Sequence, residues 1–190
     1  NTGQTEIQLE SYNHFINFGL QSIIDNDNKI EIDVQNKFNY IIEIYDVHID
    51  NPSILDNNRN VRQITPNECR LRDMSYTSNI YITIVEKKCD KNNKILDKTI
   101  HTRVLIAQIP IMLQSCKCNL NNLTVNKRVE AGECRYDKGG YFIINGKERV
   151  LVAQERINYN CVYTFSQKST SKYKYITEIR SMNVVNGKSS

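Results

Sequence analysis

Gly139-Gly140-Tyr141-Phe142-Ile143-Ile144-Asn145-Gly146-Lys147-Glu148-Arg149-Val150-Leu151-Val152-Ala153-Gln154-Glu155-Arg156 is the stretch on which the reading of this chain turns. Asn-Gly between two β-prone runs is a strong short-range hairpin signal, because both residues accept the positive φ of a type I′ turn. Tyr141–Ile144 and Arg149–Ala153 are the expected arms. The double glycine ahead of them suits a tight entry or a close approach of backbone. Tyr141 and Phe142 are adjacent, so their rings leave a strand on opposite faces and one is expected in a core. An RNA-recognition sheet needs its aromatics alternating on one face, so this run does not fit one.

The polar groups of Lys147 to Arg156 allow two readings. On an extended strand Val150 and Val152 share one face, and Lys147, Arg149 and Leu151 the other. Arginine and glutamine there suit phosphate or a base edge. Glu148 and Glu155 equally suit pairing with the arginines, and spacing alone favours that.

Near the start of the chain, Leu9, Tyr12, Ile16, Leu20 and Ile23 recur every three or four residues, which predicts an amphipathic helix over 9–24 ended by Asp25-Asn26-Asp27-Asn28. Strands are expected at 30–34, 39–49, 79–86, 100–109, 159–166 and 173–180. Residues 51–67 are rich in turn formers and read as loop. The lysines of 87–98 read as a solvated hairpin tip. The chain is therefore expected to be α+β: mixed, β-rich, with an N-terminal amphipathic helix and several antiparallel hairpins. A further turn signal, Asn186-Gly187, suggests a larger protein continuing beyond the chain.

The chain has 190 residues, 25 basic and 21 acidic, for a net charge of +4. The distribution says more than the total. Residues 1–60 carry 3 basic and 10 acidic groups, and residues 61–190 carry 22 and 11. The basic part suits phosphate, although an ordinary solvated surface beside an acidic neighbour explains the split equally well. Mean hydropathy is −0.53, and no apolar run approaches the length of a membrane span. A secretory leader is not visible at the start. The six cysteines do not follow a secreted scaffold's spacing, so a reducing, intracellular setting without membrane contact is expected. The sequon Asn122-Leu123-Thr124 is then incidental.

Motifs for self-contained chemistry are missing. The seven glycines give neither a dinucleotide-binding nor a phosphate-binding loop. Nucleophile-elbow and zinc-hydrolase patterns are also absent. Cys116-x-Cys118 is too closely spaced for a usual zinc pair, and His14, His48 and His101 are scattered. No catalytic residue and no metal ligand is assigned. Asp137 and Glu148 read as surface or salt-bridge groups.

The run 139–156 resembles the second-largest subunit of multisubunit DNA-dependent RNA polymerases, in its eukaryotic, archaeal and large-DNA-virus form. Further blocks share the resemblance in the same order. They are Thr65-Pro66-Asn67-Glu68-Cys69-Arg70-Leu71-Arg72-Asp73-Met74-Ser75-Tyr76, Ile109-Pro110-Ile111-Met112-Leu113-Gln114-Ser115, Glu133-Cys134-Arg135-Tyr136-Asp137 and Glu178-Ile179-Arg180-Ser181. The helical run 11–24 fits the subunit's start. Arg135 stands where a proline is common. Short loops and abundant Asn and Ile resemble a large DNA virus.

The resemblance implies a protrusion-type domain over 1–180, with 181–190 starting the connection toward the lobe. It implies a part of the cleft that holds DNA and the RNA–DNA hybrid. Its partners would be the largest subunit, the other polymerase subunits, the DNA template and hybrid, and transcription initiation factors. The catalytic Mg²⁺ and a structural Zn²⁺ would lie elsewhere in the complete polymerase, so no cofactor is expected in this segment. Localisation would be the virion and host cytoplasm for a viral enzyme, or the nucleus for a cellular one. Arg149, Gln154 and Arg156 are the expected nucleic-acid-side groups. Gly139, Gly140, Asn145 and Gly146 would shape the hairpin, and Arg70 and Arg72 would hold the domain together by pairing with Glu68 or Asp73. An autonomous nucleic-acid-binding module and a factor-docking structural domain are the alternatives.

Overall fold

A continuous helical segment opens the fold: α1 (Glu6–His14), a π-helical turn (Phe15–Gly19) and α2 (Leu20–Asn26). Its apolar stripe buries Tyr12 and Ile16, with Leu9 and Leu20 packed beside them. The stripe then continues to half-buried Ile24, while Ile23 is 59% exposed. The wider π turn explains this correction, because extra residues per turn rotate everything that follows.

The computed structural model describes residues 3–34, 38–56, 58–90, 94–168, 170 and 172–183. The Asn186-Gly187 turn lies outside them. The chain divides into two compact units, Asn1–Leu151 and Val152–Ser190. The expected boundary at 180 falls inside the second.

In the first unit, strands β1 (Lys29–Val34) and β2 (Phe38–Ile49) form an antiparallel pair. The region read as loop holds two short paired strands, β3 (Ser53–Leu55) and β4 (Val61–Gln63), and a helix, α3 (Pro66–Leu71). Long strands β5 (Thr77–Cys89) and β6 (Ile95–Pro110) follow. The main sheet has the order β1-β2-β5-β6, antiparallel throughout. Bulges interrupt it between Tyr45 and His48 and between Ile82 and Ile84, near positive-φ residues Asp46 and Arg103.

The expected lysine-rich tip at 87–98 is mostly strand. Lys87 is opposite Lys98 in β6, an unfavourable like-charge pair, but its ammonium bonds Glu43 of β2. Beyond β6 come a short helix, α4 (Val125–Glu130), and the hairpin β7 (Phe142–Ile144) and β8 (Lys147–Arg149).

Two apolar clusters stabilise this unit. One gathers Ile64, Cys69, Tyr76, Ile111, Leu113, Cys118, Leu120 and Ile143. The other gathers Tyr12, Ile16, Ile49, Ile80 and Met112, with Phe142 against it. Ile111-Met112-Leu113 alternates as extended chain must, so Ile111 and Leu113 enter the first cluster and Met112 the second. Tyr141 and Phe142 divide in the same way. Phe142 meets Tyr12 edge to face, with ring centres 5.5 Å apart, and the Tyr12 hydroxyl donates to the Pro110 carbonyl at 2.6 Å. The helix thus packs inward, as expected.

Among its described residues the second unit carries one antiparallel pair, β9 (Val162–Ser166) and β10 (Tyr175–Ile179). The chain is α+β, with an N-terminal helix and several antiparallel sheets.

Candidate functional site

The hairpin at Asn145-Gly146 turns as its sequence requires. Asn145 has φ 49° and Gly146 φ 73°, the left-handed pair of a type I′ turn. The turn is keyed into the segment after α3. The Gly146 amide donates to the Met74 carbonyl at 2.9 Å, the Asn145 amide donates to the Ser75 hydroxyl at 3.0 Å, and the Tyr76 amide donates to the Ile143 carbonyl at 2.9 Å. On the other side, the Leu113 amide donates to Tyr141 at 2.9 Å and the Gly140 amide to Leu113 at 3.1 Å. Segments 74–76, 111–113 and 140–146 are therefore backbone neighbours.

The double glycine makes this possible. Gly139 has φ 68°, and a Cβ there would stand 2.4 Å from the Leu113 carbonyl oxygen. One on Gly140 would stand 2.8 Å from Thr5 Cβ. At both positions only glycine combines the backbone shape with the close approach. These close approaches, with the hydrogen bonds of Asn145 and Gly146, set the backbone path of the hairpin.

α3 presents the charged groups. Thr65 caps it by accepting the Glu68 amide at 3.3 Å, Pro66 occupies the first turn, and Asp73 (φ 51°) lies just beyond its end. Glu68 binds Arg62 at 2.8 Å and Arg72 at 2.7 Å. Hydrogen bonds from Arg62, then from Arg72, pull its carboxyl down to about 2. The Arg72–Glu68 pairing agrees with expectation.

Arg70 does not pair with Glu68 or Asp73. Its guanidinium reaches Glu133 at 2.9 Å, Glu148 at 2.9 Å and the Tyr141 hydroxyl at 2.7 Å. The helix turns Arg70 away from Glu68, which already holds two other arginines. Glu133 is buried and accepts the Asn67 amide at 2.8 Å with its second oxygen. Tyr141 donates to Asp137 at 2.6 Å, and Asp137 accepts the Gly139 amide at 2.8 Å. Burial, and then the Asp137 carboxylate, raises the Tyr141 phenol above its ordinary range. Glu133, Tyr141 and Glu148 were not expected as Arg70 partners. They lie 63 to 78 residues away in sequence, with no periodicity linking them.

These groups line a cleft of about 520 Å³ that also holds Tyr136 and Cys134. Three carboxylates and one guanidinium line it, so the cleft is acidic and does not suit phosphate. Its carboxylates, guanidinium and phenol are engaged with one another, which makes it a lock between α3 and the hairpin. Among the described residues no group of three or more His, Cys, Asp or Glu is placed to hold a metal ion, and no helix is long and apolar enough to cross a membrane.

The cations suited to phosphate lie on the hairpin's other face. β8 alternates Lys147 and Arg149 against Glu148, and all three are exposed. The strand stops at Arg149, and residues 150–158 have no regular structure, which corrects the arm expected to run to 153. The face shared by Lys147, Arg149 and Leu151 consequently ends with the strand. Glu148 is taken by Arg70, so it does not neutralise Arg149. Arg149 belongs to the first unit, Gln154 and Arg156 to the second, and all three are exposed.

A family model described as RNA polymerase beta subunit matches residues 3–183. The chain is 40% identical over 183 residues to the probable DNA-directed RNA polymerase II subunit RPB2 homolog of Invertebrate iridescent virus 3. It is 34% identical over 194 residues to DNA-directed RNA polymerase II subunit 2 of Arabidopsis thaliana. Each alignment covers 95% of this chain and 16% of the relative. DNA-directed RNA polymerase III subunit 2 of the same plant is 36% identical over 166 residues, which is 87% of this chain and 14% of the relative.

Proposed function

The chain belongs to the RNA polymerase beta subunit family, and from that premise we propose that it forms a wall of the nucleic-acid cleft in a DNA-dependent RNA polymerase. It is the N-terminal region of a second-largest subunit. In this reading residues 1–180 are the protrusion-type part and 181–190 start the connection toward the lobe.

In this reading nucleotidyl transfer happens elsewhere in the complete enzyme, where Mg²⁺ and Zn²⁺ are held. The largest subunit, the other polymerase subunits and initiation factors are its partners, and DNA and the RNA–DNA hybrid are its ligands. The setting is intracellular: virion and host cytoplasm for a viral enzyme, nucleus for a cellular one.

One observation carries the reading. The hairpin is fixed on both sides by backbone hydrogen bonds, while Lys147 and Arg149 stay exposed on the face away from the Arg70 lock. A rigid mount with outward cations positions phosphates without reading sequence. Arg149 supplies such a cation, and Gln154 and Arg156 continue the polar run.

The test is the complete polymerase carrying Arg149→Ala and Arg156→Ala. Each lost phosphate contact to duplex lowers the salt slope of binding by about 0.9, so the elongation complex should dissociate faster. An unchanged half-life would remove these residues from the nucleic-acid face. A gel shift of the chain alone separates the autonomous-module reading, which requires tight, salt-sensitive binding.

A docking role is supported at Val150, Leu151 and Val152, which are 62%, 67% and 81% exposed. Consecutive apolar residues left this open suit coverage by other polypeptide of the assembly.

A further inference from the structure

The second unit holds a cationic hairpin that the wall reading does not use. Residues 159–183 contain four basic groups, Lys168, Lys172, Lys174 and Arg180, and one acidic group, Glu178. Pairing runs from Tyr175 opposite Ser166 to Ile179 opposite Val162, and the Gln167 amide extends it by donating to the Lys174 carbonyl at 2.8 Å. Among the described residues the pairing ends at Gln167 and Lys174. Glu178 faces Tyr163, three residues down the strand from Tyr175 and about 10 Å away at strand rise. The lysines crowd the end that has no carboxylate.

Aromatic rings accompany them. Over 172–175 the chain alternates Lys-Tyr-Lys-Tyr. Lys172 Nζ lies 5.6 Å from the centre of the Tyr173 ring, and Lys174 Nζ the same distance from that of Tyr175. Tyr173 is 61% exposed and Tyr175 59%. The chain bends at Lys172 and Lys174 before β10 starts at Tyr175, which lets each ammonium lie beside the ring that follows it. Each exposed ring thus has a cation beside it. An unpaired nucleotide needs both, a flat apolar face for its base and a positive charge for its phosphate. A duplex would engage the lysines but has no free base face for the rings.

We propose that the β9–β10 hairpin tip binds single-stranded nucleic acid, with Lys168, Lys172 and Lys174 on phosphates and Tyr173 and Tyr175 stacked on bases. This rests on the polymerase reading above and adds a second, separate contact surface to it.

The experiment uses the complete polymerase on a DNA template with a pre-melted bubble, with a benzophenone amino acid replacing Tyr175. The expected result is light-dependent cross-linking to an unpaired strand of the bubble. Fluorescence anisotropy with a thymidine bubble supplies the second measurement. Tyr175→Ala should weaken binding at least about fivefold, the lower end of what one stacked base is worth, and Tyr175→Phe should restore it. Lys172→Ala with Lys174→Ala should reduce the salt slope by about 1.4, two single-strand phosphates at roughly 0.7 each. Cross-linking only to duplex DNA or to polypeptide, or no cross-link from an enzyme that still makes RNA, would overturn the hairpin assignment and leave the wall reading standing. An unsubstituted enzyme that makes no RNA would remove the wall reading and this inference with it.

Discussion

Replacing Arg70 with methionine keeps the apolar stem and removes the charge that joins α3 to the hairpin. The Glu133 side chain is 3% exposed, and with Arg70 gone one of its oxygens faces no cation. Stripping one partner from a buried ion pair costs about 3–5 kcal/mol. Glu148 is 55% exposed and returns to water, so its half contributes about 0–1 kcal/mol. Arg70 is itself 22% exposed, which puts the expected loss near the low end, about 3 kcal/mol.

The Tyr76 amide, bonded to the Ile143 carbonyl, reports docking of the hairpin. Its hydrogen-exchange protection should fall roughly 100-fold, the factor that about 3 kcal/mol corresponds to. Adding Glu133→Gln to Arg70→Met removes the stranded charge and should restore most of that protection. A fall below about tenfold, or a double variant no better than the single one, would refute the account of Arg70 as a buried lock.

Gly139→Ala should destabilise the fold by several kcal/mol, since it combines a left-handed φ with a carbonyl oxygen 2.4 Å from the new carbon; a thermal shift scan with Lys138→Ala as control checks it. Glu68 has a folded pKa of about 2, below its ordinary 4.5, so its stabilisation is complete above about 4.5 and is lost as pH falls through about 2. The contribution should be about 1 kcal/mol, and urea midpoints at pH 5 and pH 3 should converge in Glu68→Gln relative to the parent. Native maleimide labelling followed by mass spectrometry should modify Cys116, Cys134 and Cys161 and spare Cys69, Cys89 and Cys118. Burial pushes the Cys69 thiol up to about 11, which lowers its thiolate fraction further.

The parts of the fold legible in the sequence are those fixed locally. Asn145-Gly146 names its own turn because few residue pairs accept two positive φ angles. The helix stripe is legible as far as Leu20 and fails at Ile23, because nothing in residue type announces the π turn. The lysines of 87–98 misled because cross-strand help from Glu43 comes from a different strand. Thr65-Pro66-Asn67-Glu68 did carry a helix-start signature, a capping threonine three residues before a glutamate, inside a stretch dominated by turn formers. Arg72 with Glu68 follows from one helical turn. Arg70 with Glu133 and Glu148 depends on long-range topology, which spacing does not encode.

Ile111-Met112-Leu113 is a party wall: its neighbouring side chains hold up the two apolar rooms on either side of it. Neither room can be loosened without moving the strip that bounds the other. A disturbance at the helix near Tyr12 therefore reaches the Asn145-Gly146 turn through three consecutive residues, so small changes far from the exposed cations should alter how firmly they are aimed.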